Sequence, residues 1–405
     1  LWRPGMMGEA LEPFLGKGLL TTDDETHDRA RRLMEPAFRR DRLRNYTETM
    51  IEETRETVGE LQTGDEVEIY DWSRKLALRI ASKVLLGMDA EAELTQKLSR
   101  NFANGLETYN VPLHLQALQG PFTPRWQRKR ARSAIRSLLS TEIERRRRTK
   151  NGAENILSIL IEAEEDGESF SNEEIADQLF TLLFAGHDTT ISTVSWMVML
   201  LGKHRNVHEQ LVDHLNANIN GLPTVDDIMD GLPYLDQVLD ETLRLYPAAW
   251  VGARRTREPF EVYGEVIPED TGIAYTSAVT HRMPEYYDDP EMFDPSRFEP
   301  DRKRNRPAGA YVPFGRGPRT CIGMNFGKLE IKTIISILLT NFHLELLPGQ
   351  DFTPQWMPTL TPKNGVETRI KAPNDSLISL NDNPPVDSQP EQDGNSESGN
   401  CPVTG

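Results

Sequence analysis

The chain is poor in cysteine, since only Cys321 and Cys401 occur among its 405 residues. Cys401 lies in a polar terminal segment, so the two residues cannot build a disulfide framework. A zinc or iron–sulfur site made from several cysteines is excluded for the same reason. Any chemistry at Cys321 therefore depends on one thiol alone.

Positive charge and long apolar runs are also scarce. The 46 Lys and Arg residues are outnumbered by 63 Asp and Glu, and the net charge of -17 argues against nucleic-acid binding. No run of about 20 uninterrupted apolar residues occurs, because the nearest candidate, 179–201, is polar from His187 to Thr190. The first residues show no signal-peptide pattern. We expect a cytoplasmic, monomeric protein with no membrane anchor in the given chain.

The longest predicted element is a helix in the middle of the chain. Ser171 and Glu174 form a capping box, and the helix runs to about Lys203, roughly 45 Å at 1.5 Å per residue. At its centre, residues 185–190 read Ala-Gly-His-Asp-Thr-Thr and interrupt the apolar pattern. Glycine and aspartate lower helix propensity and threonine hydroxyls bond back to carbonyls, so we expect local strain or widening beside a ligand. Alone, the segment also fits a plain Ser/Thr-lined helix contact.

The rest of the pattern is helical with short strands. The basic helix 125–149 contains four consecutive arginines, 145–148, a run that usually forms a solvated face. Strand-like pieces such as 272–276 alternate with turn residues. The sequence predicts a mainly α fold with small β-sheets (α+β), followed by a polar tail, 373–405, that we expect to be disordered.

Cys321 belongs to a loop, 314–323, that reads Phe-Gly-Arg-Gly-Pro-Arg-Thr-Cys-Ile-Gly and directly precedes an apolar run. Glycines let backbone N–H groups turn toward the sulfur, and the following helix directs its positive end at it. The arginines add positive charge, and Phe314 is placed to shield a metal. A lone cysteine is usually an inert buried residue. This setting instead favours a thiolate that ligates iron at one axial position.

The loop resembles the heme-ligand signature of the cytochrome P450 family, Phe-x-x-Gly-x-Arg-x-Cys-x-Gly. Every specified position matches, at Phe314, Gly317, Arg319, Cys321 and Gly323. The resemblance implies heme b as cofactor, Cys321 as the thiolate ligand of its iron, and Arg319 as the partner of a heme propionate. Phe314 and Gly323 are implied to border the cofactor.

The resemblance extends from about residue 27 to about residue 370, with signatures in the expected order. It implies a bacterial or archaeal type of member, with one heme domain over 1–372 and helices forming a triangular prism around the heme. Such members have more chain before Leu1. The resemblance therefore implies an N-terminally truncated chain that lacks the first helix and part of the main sheet.

The interruption in the long helix resembles the oxygen-binding groove of the same family. The resemblance implies that Asp188 relays protons from solvent and that Thr189 hydrogen-bonds bound dioxygen and its water. Ala185 is implied to face the cofactor. His187 takes the variable position of the pattern, and we interpret it as a packing or hydrogen-bonding residue, not an iron ligand.

Two further motifs look structural. Glu241 and Arg244 lie at i and i+3 of one predicted helix, and Arg297 lies in a Phe-Asp-Pro-Ser-Arg-Phe segment. The resemblance implies that these three residues form a buried network that holds the Cys321 loop in place.

Additional cations match propionate-binding positions of the family. His27 and Arg31 fit its Trp/His-x-x-x-Arg pattern, with histidine where many members have tryptophan. Arg254 falls where the family places a propionate-binding arginine on a strand, and Arg255 is a weaker candidate for that position.

Together these signatures imply a heme-thiolate monooxygenase that inserts one atom of O₂ into an apolar organic substrate such as a fatty acid or terpenoid. NAD(P)H would supply electrons through a separate ferredoxin or flavoprotein, docked near Arg316 on the Cys321 face. A peroxide-dependent peroxygenase or isomerase and a non-enzymatic heme sensor are alternatives. The Asp188–Thr189 pair argues against both. Candidate pocket residues are apolar: Phe180, Phe184, Ala185, Ala248, Ala249 and Val251.

Overall fold

The computed structural model describes residues 2–3, 11–89, 92–108, 111, 115, 118–149, 154–165, 167–356 and 359–373. The predicted disordered tail lies outside the described residues from position 374 onward. Within the described part, long helices dominate and the strands are short. The predicted mainly α fold with small β-sheets is confirmed.

The two helices predicted above are present, over Pro124–Thr149 and Asn172–Lys203. In chain order the helices are α1 (Asp24–Met34), α2 (Arg40–Gly59), α3 (Ile69–Ala81), α4 (Glu93–Glu107), α5 (Pro124–Thr149), α6 (Ile156–Glu162), α7 (Asn172–Lys203), α8 (Arg205–Asn218), α9 (Pro233–Leu245), α10 (Ser277–Thr280), α11 (Pro300–Asn305) and α12 (Met324–Asn341). Single 3₁₀ turns occupy Glu35–Phe38, Pro295–Phe298 and Gly317–Arg319, and π-helical turns occupy Ser82–Leu86 and Asp227–Gly231.

The strands form small antiparallel sheets. In chain order they are β1 (Trp2–Arg3), β2 (Glu66–Glu68), β3 (Glu164–Glu165), β4 (Glu168–Ser169), β5 (Val251–Thr256), β6 (Phe260–Val262), β7 (Glu265–Ile267), β8 (Gly272–Thr276), β9 (His343–Leu346), β10 (Pro354–Gln355), β11 (Thr361–Pro362) and β12 (Glu367–Lys371). One sheet has the order β1-β5-β8 and another β2-β12-β9. In the first, Arg254 of β5 pairs with Ile273 of β8.

Helix α7 is the axis of the fold. Its capping box forms as predicted, with the Ser171 hydroxyl accepting the Glu174 N–H at 3.2 Å and the Glu174 carboxylate accepting the Ser171 N–H at 2.8 Å. Helices α3, α5, α9 and α12 pack around it. None of the helices in the described ranges combines the length and apolar character needed to cross a bilayer.

The prediction of a solvated arginine run on α5 is wrong for one of its four members. Arg146 is only 6% exposed, and it donates to the Glu142 carboxylate at 2.8 Å and to the Leu86 carbonyl at 2.6 Å. The cause is helical periodicity, because Arg146 shares the inward face with Leu139 and Ile143. The other three arginines of the run are exposed.

Candidate active site

The Cys321 loop is a tight turn shaped by glycine. The Cys321 N–H donates to the Phe314 carbonyl at 2.9 Å and closes the loop. Gly315 and Gly317 have φ values of +70° and +75°, which residues with a Cβ rarely adopt. The fold therefore holds the thiol at a fixed point immediately before α12.

The Cys321 sulfur is accessible but surrounded by protein. Cys321 is exposed to solvent. Burial of its thiol nevertheless raises the pKa of Cys321, and the Gly323 N–H and the Arg31 charge oppose this rise. Both findings hold for a sulfur that borders an internal hollow. A coordinated cation there would favour the thiolate.

Helix α7 borders a hollow at its centre. Residues 175–181 and 190–201 are buried, but most residues of 182–189 are partly exposed. Gly186 is exposed, and a Cβ built on it would find no atom within 4 Å. The Thr190 hydroxyl bonds the Glu330 carboxylate of α12 at 3.2 Å. Since Glu330 lies two turns into the helix that follows Cys321, this contact between α7 and α12 is about 10 Å along α12 from the cysteine loop.

The acid–alcohol pair lies on this part of α7. The Thr189 hydroxyl donates to the Ala185 carbonyl at 2.7 Å, and the buried Asp188 carboxylate lies 3.2 Å from Nδ1 of His187. The predicted back-bond is therefore present, but the predicted widening is wrong, because the helix is α-helical throughout Asn172–Lys203. The back-bond satisfies the hydroxyl within ordinary α-helical geometry.

Arg319 is held by oxygen acceptors at the start of α1. It donates to the Asp23 carboxylate at 2.6 Å and to the Thr22 carbonyl at 2.7 Å. Burial lowers the pKa of Arg319, Asp23 opposes that effect, and the Arg254 charge adds to it. Arg254 is thus close enough to Arg319 for their charges to interact, whereas Arg255 turns away and bonds the Asp270 carbonyl at 3.0 Å.

Two α1 residues complete this cationic group. Arg31 donates to the Thr320 carbonyl at 2.8 Å, which ties α1 to the cysteine loop. His27 is buried, with Nδ1 2.8 Å from the Asp28 carboxylate. Burial lowers the pKa of His27, and the charges of Arg319 and Arg31 lower it further against the pull of Asp28. The structure therefore gathers His27, Arg31, Arg254 and Arg319 beside Cys321.

The Glu241, Arg244 and Arg297 side chains meet in the interior. Arg244 is 0% exposed and donates to both Glu241 oxygens, at 2.7 and 2.8 Å. Nε of Arg297 lies 3.5 Å from the same carboxylate. Arg244 also donates to three carbonyls of the irregular segment 281–292: His281, Pro290 and Met292.

His281 continues this network toward the cysteine loop. Its Nδ1 lies 3.2 Å from the Arg244 carbonyl, and its Nε2 accepts the Val312 N–H at 2.9 Å. Burial lowers the pKa of His281 to about 4, partly offset by the bond to Arg244. The ring is therefore neutral at physiological pH and bridges α9 to the residues before Phe314.

Sequence reasoning missed Asp23 and Glu330. Asp23 pairs with Arg319 across 296 positions, and no local motif marks it. Glu330 is 3% exposed and has Thr190 as its hydrogen-bond partner in the described chain. The sequence did offer one sign of Glu330, because it is an acid within the apolar run that follows Cys321.

Glu330→Gln is expected to stabilise the protein at alkaline pH. Burial raises the pKa of Glu330 to about 8 from an ordinary 4.5, and the Thr190 bond opposes it only weakly. Because the folded state binds the proton more tightly, stability is complete below pH 4.5 and is lost as the pH rises through 8. Above that pH the variant should gain roughly 5 kcal/mol in free energy of unfolding.

Urea unfolding at a series of pH values measures this effect, with exposed Glu261→Gln as control. The difference between Glu330→Gln and the wild type should be small below pH 4.5, grow between pH 4.5 and about 8, and level off above that. A difference that does not change with pH contradicts the assignment of a buried, protonated carboxyl.

Comparisons with known proteins place the chain in a family. It matches the model described as Cytochrome P450 over residues 2–368. It is 32% identical over 344 residues to cyclooctat-9-en-7-ol 5-monooxygenase of Streptomyces melanosporofaciens, covering 83% of this chain and 74% of that protein. It is 30% identical over 376 residues to pentalenene oxygenase of Streptomyces avermitilis, covering 91% and 83%. Retinoic acid bound cyanobacterial CYP120A1 superposes with a TM-score of 0.80 at 31% identity, covering 89% of this chain and 82% of that one. The chain belongs to the cytochrome P450 family.

Membership settles the class of enzyme. Members are heme-thiolate, iron-binding monooxygenases that catalyse hydroxylation, so the chain is an oxidoreductase of the monooxygenase class. The predicted family, fold and enzyme class are confirmed. The family implies a heme and generally uses O₂ and redox partners.

The described residues fit a heme. Cys321 presents one accessible sulfur, and no group of three or more His, Cys, Asp or Glu in the described ranges is arranged to hold a bare metal ion. Three arginines, Arg31, Arg254 and Arg319, lie near it to pair with two propionates, and the His27 ring, whose pKa is lowered by burial, adds a hydrogen-bond donor. Gly186 leaves open space where a Cβ would project.

Proposed function

We propose that this protein is a heme b monooxygenase that inserts one atom of O₂ into an apolar, terpenoid-like substrate with electrons from NAD(P)H. The observation that carries the proposal is the exposed Cys321, held by a glycine turn before α12, the helix whose Glu330 bonds Thr190 next to the Asp188–Thr189 pair. Residues 1–372 act as one heme domain.

The chain's own residues hold the cofactor. Cys321 ligates the iron, and its loop and α12 keep the sulfur in position. The cationic group bonds the two propionates, with Arg319 and Arg31 already anchored near the loop. Phe314, Gly323 and Ala185 border the ring. Heme bound there would supply the redox chemistry of oxygen activation.

Asp188 and Thr189 manage protons. The Thr189 hydroxyl donates its proton to the Ala185 carbonyl at 2.7 Å. The lone pairs of its Oγ1 can therefore accept a hydrogen bond from a water molecule or another O–H group. Asp188 is buried but not sealed, with 12% of its side chain exposed, so it can exchange protons with the medium. Proton delivery at this position favours product over peroxide.

The substrate is proposed from the relatives and the pocket. Two relatives carry names that specify cyclooctat-9-en-7-ol and pentalenene, and the solved neighbour contains retinoic acid. In this chain, the Phe102 ring lies 5.9 Å from the Phe180 ring and 6.4 Å from the Phe184 ring between centroids. Phe180 is 0% exposed and supports the other two rings from the core. Such a wall suits a rigid hydrocarbon skeleton better than a polar molecule.

Electrons are proposed to come from a separate ferredoxin or flavoprotein that docks on the Cys321 face near exposed Arg316. The test is turnover of a terpenoid panel under isotopically labelled dioxygen, with NAD(P)H, ferredoxin and reductase. One labelled oxygen atom in the product is expected. Equal turnover with hydrogen peroxide and no reductase would favour the peroxygenase alternative, and reversible gas binding without product would favour a sensor.

Thr189→Ala is expected to uncouple the enzyme. The variant loses the hydroxyl that accepts the hydrogen bond but keeps the helix, so NAD(P)H oxidation continues while peroxide replaces product, with coupling reduced about tenfold or more. Thr193→Ala is the matched control, because its hydroxyl also bonds back along α7, to the Thr189 carbonyl at 2.8 Å. Unchanged coupling in Thr189→Ala removes this residue from the mechanism.

A further inference from the structure

The turn that leads into α5 presents large apolar side chains to solvent. Phe122 is 80% exposed and Leu118 is 49% exposed. Phe122 also has a φ of +64°, a left-handed conformation that is strained for a bulky residue. The turn Gly120-Pro121-Phe122 therefore projects an aromatic ring outward at a cost in backbone energy, and neither the proposed catalysis nor the core uses this ring.

The same surface is positively charged in an acidic protein. No Asp or Glu occurs between positions 108 and 141, although the whole chain has 63 of them. Arg125, Lys129 and Arg130 are exposed, and no carboxylate of the described ranges pairs with them. The whole chain has a net charge of -17. These residues therefore form a localised positive surface on an acidic protein.

Apolar and cationic groups follow one another along one face of α5. The Phe122 ring lies 5.4 Å from the Trp126 ring, and the Arg130 guanidinium lies 5.4 Å from the centre of the Trp126 ring. Trp126 and Arg130 lie at i and i+4 of α5, and Phe122 lies in the turn directly before the helix. The outer end of this surface is the apolar Phe122 ring, its middle is the Trp126 indole, and its inner end is the Arg130 guanidinium.

We propose that residues 118–130, which we call the basic rim, dock this protein on the surface of an anionic lipid bilayer. Phe122 and Leu118 enter the boundary between headgroups and acyl chains, Trp126 lies at headgroup level, and Arg125, Lys129 and Arg130 contact lipid phosphates. The acidic parts of the surface are repelled by the same membrane, which favours an approach through this face.

An acidic protein partner fits the basic rim less well. A stable protein interface buries a broad surface with a well-packed apolar centre, whereas the rim offers a narrow projecting turn with few apolar side chains. A bilayer accepts such a projection without a matching cavity. With few apolar groups inserted, the attachment is weak and reversible.

Vesicle sedimentation of the heme-loaded full chain tests the proposal. The protein should sediment with vesicles of phosphatidylglycerol and phosphatidylcholine but not with phosphatidylcholine alone, and rising salt should release it. Phe122→Ser should weaken binding about tenfold, and Lys129→Gln about fivefold. Unchanged thermal unfolding and heme spectra show that these variants remain folded.

The chain offers matched controls for both changes. Tyr263 is a fully exposed aromatic residue that also has a positive φ, of +52°, but it lies between Glu261 and Glu265. Arg148 is exposed at the opposite end of α5. Tyr263→Ser and Arg148→Gln should leave vesicle binding unchanged. The proposal is overturned if the wild type binds no vesicles, if Phe122→Ser binds like the wild type, or if Arg148→Gln and Lys129→Gln weaken binding equally.

Discussion

Cys321→Ser is expected to abolish oxygen insertion and the red-shifted Soret band that thiolate ligation gives the reduced carbon monoxide complex. Serine replaces one sulfur by oxygen, and its hydroxyl stays neutral at physiological pH, so the strong anionic iron ligand is lost. Turnover should fall below detection. The measurements are the carbon monoxide difference spectrum, bound iron per chain, and product formed.

The fold should survive this change. The bond that closes the loop joins the Cys321 N–H to the Phe314 carbonyl at 2.9 Å, and serine keeps that N–H. The left-handed glycines on the same loop are untouched. Far-ultraviolet circular dichroism should therefore match the wild type, which separates loss of the ligand from loss of the structure.

Cys401→Ser is the matched control, because Cys401 is the other cysteine of the chain. It should keep the full spectrum and turnover. A Cys321→Ser protein that retains both the native band and oxidative turnover would contradict the assignment of the iron ligand, and with it the proposed function.

The parts of the site that the sequence predicted are local. The Cys321 loop is one contiguous segment, and its glycines need positive φ at Gly315 and Gly317 whatever surrounds them. The start of α7 is equally local, because Ser171 and Glu174 satisfy each other's backbone N–H. Contiguous residues with strict conformational needs leave a pattern that can be read without the fold.

The parts that were missed or wrong depend on distant chain segments. Asp23 meets Arg319, and Thr190 meets Glu330 across 140 positions, only after the helices pack. Arg146 is buried because its face of α5 meets Leu86, a contact that composition cannot reveal. The predicted widening at Thr189 failed because local propensity was overridden by the packing of α7 in the core.

Arg244→Lys is expected to cost about 3–5 kcal/mol in free energy of unfolding, because it breaks a fully buried ion pair. Arginine donates to both Glu241 oxygens and to the carbonyls of His281, Pro290 and Met292. An ammonium has three donors on one atom and cannot reach five acceptors in this planar arrangement. The unpaired carbonyls and carboxylate would remain buried, which is the costly outcome.

The loss should extend to heme binding. The three carbonyls belong to the segment that leads to Val312, two residues before Phe314. The Val312 N–H donates to Nε2 of His281 at 2.9 Å. Once Arg244 releases that segment, the cysteine loop loses its support from α9. We therefore expect less heme per chain in addition to a lower midpoint in urea, out of a total stability of about 5–15 kcal/mol.

The chain contains a matched control for burial. Arg304 and Asp301 also form an acid–arginine pair at i and i+3, but their side chains are 73% and 88% exposed, against 0% for both Arg244 and Glu241. Arg304→Lys should change the free energy of unfolding by less than about 0.5 kcal/mol. If Arg244→Lys costs no more than Arg304→Lys and retains its heme, the buried network does not hold the cysteine loop. If the cost and the heme loss appear together only in Arg244→Lys, burial is what turns a common helical ion pair into the support of the thiolate site.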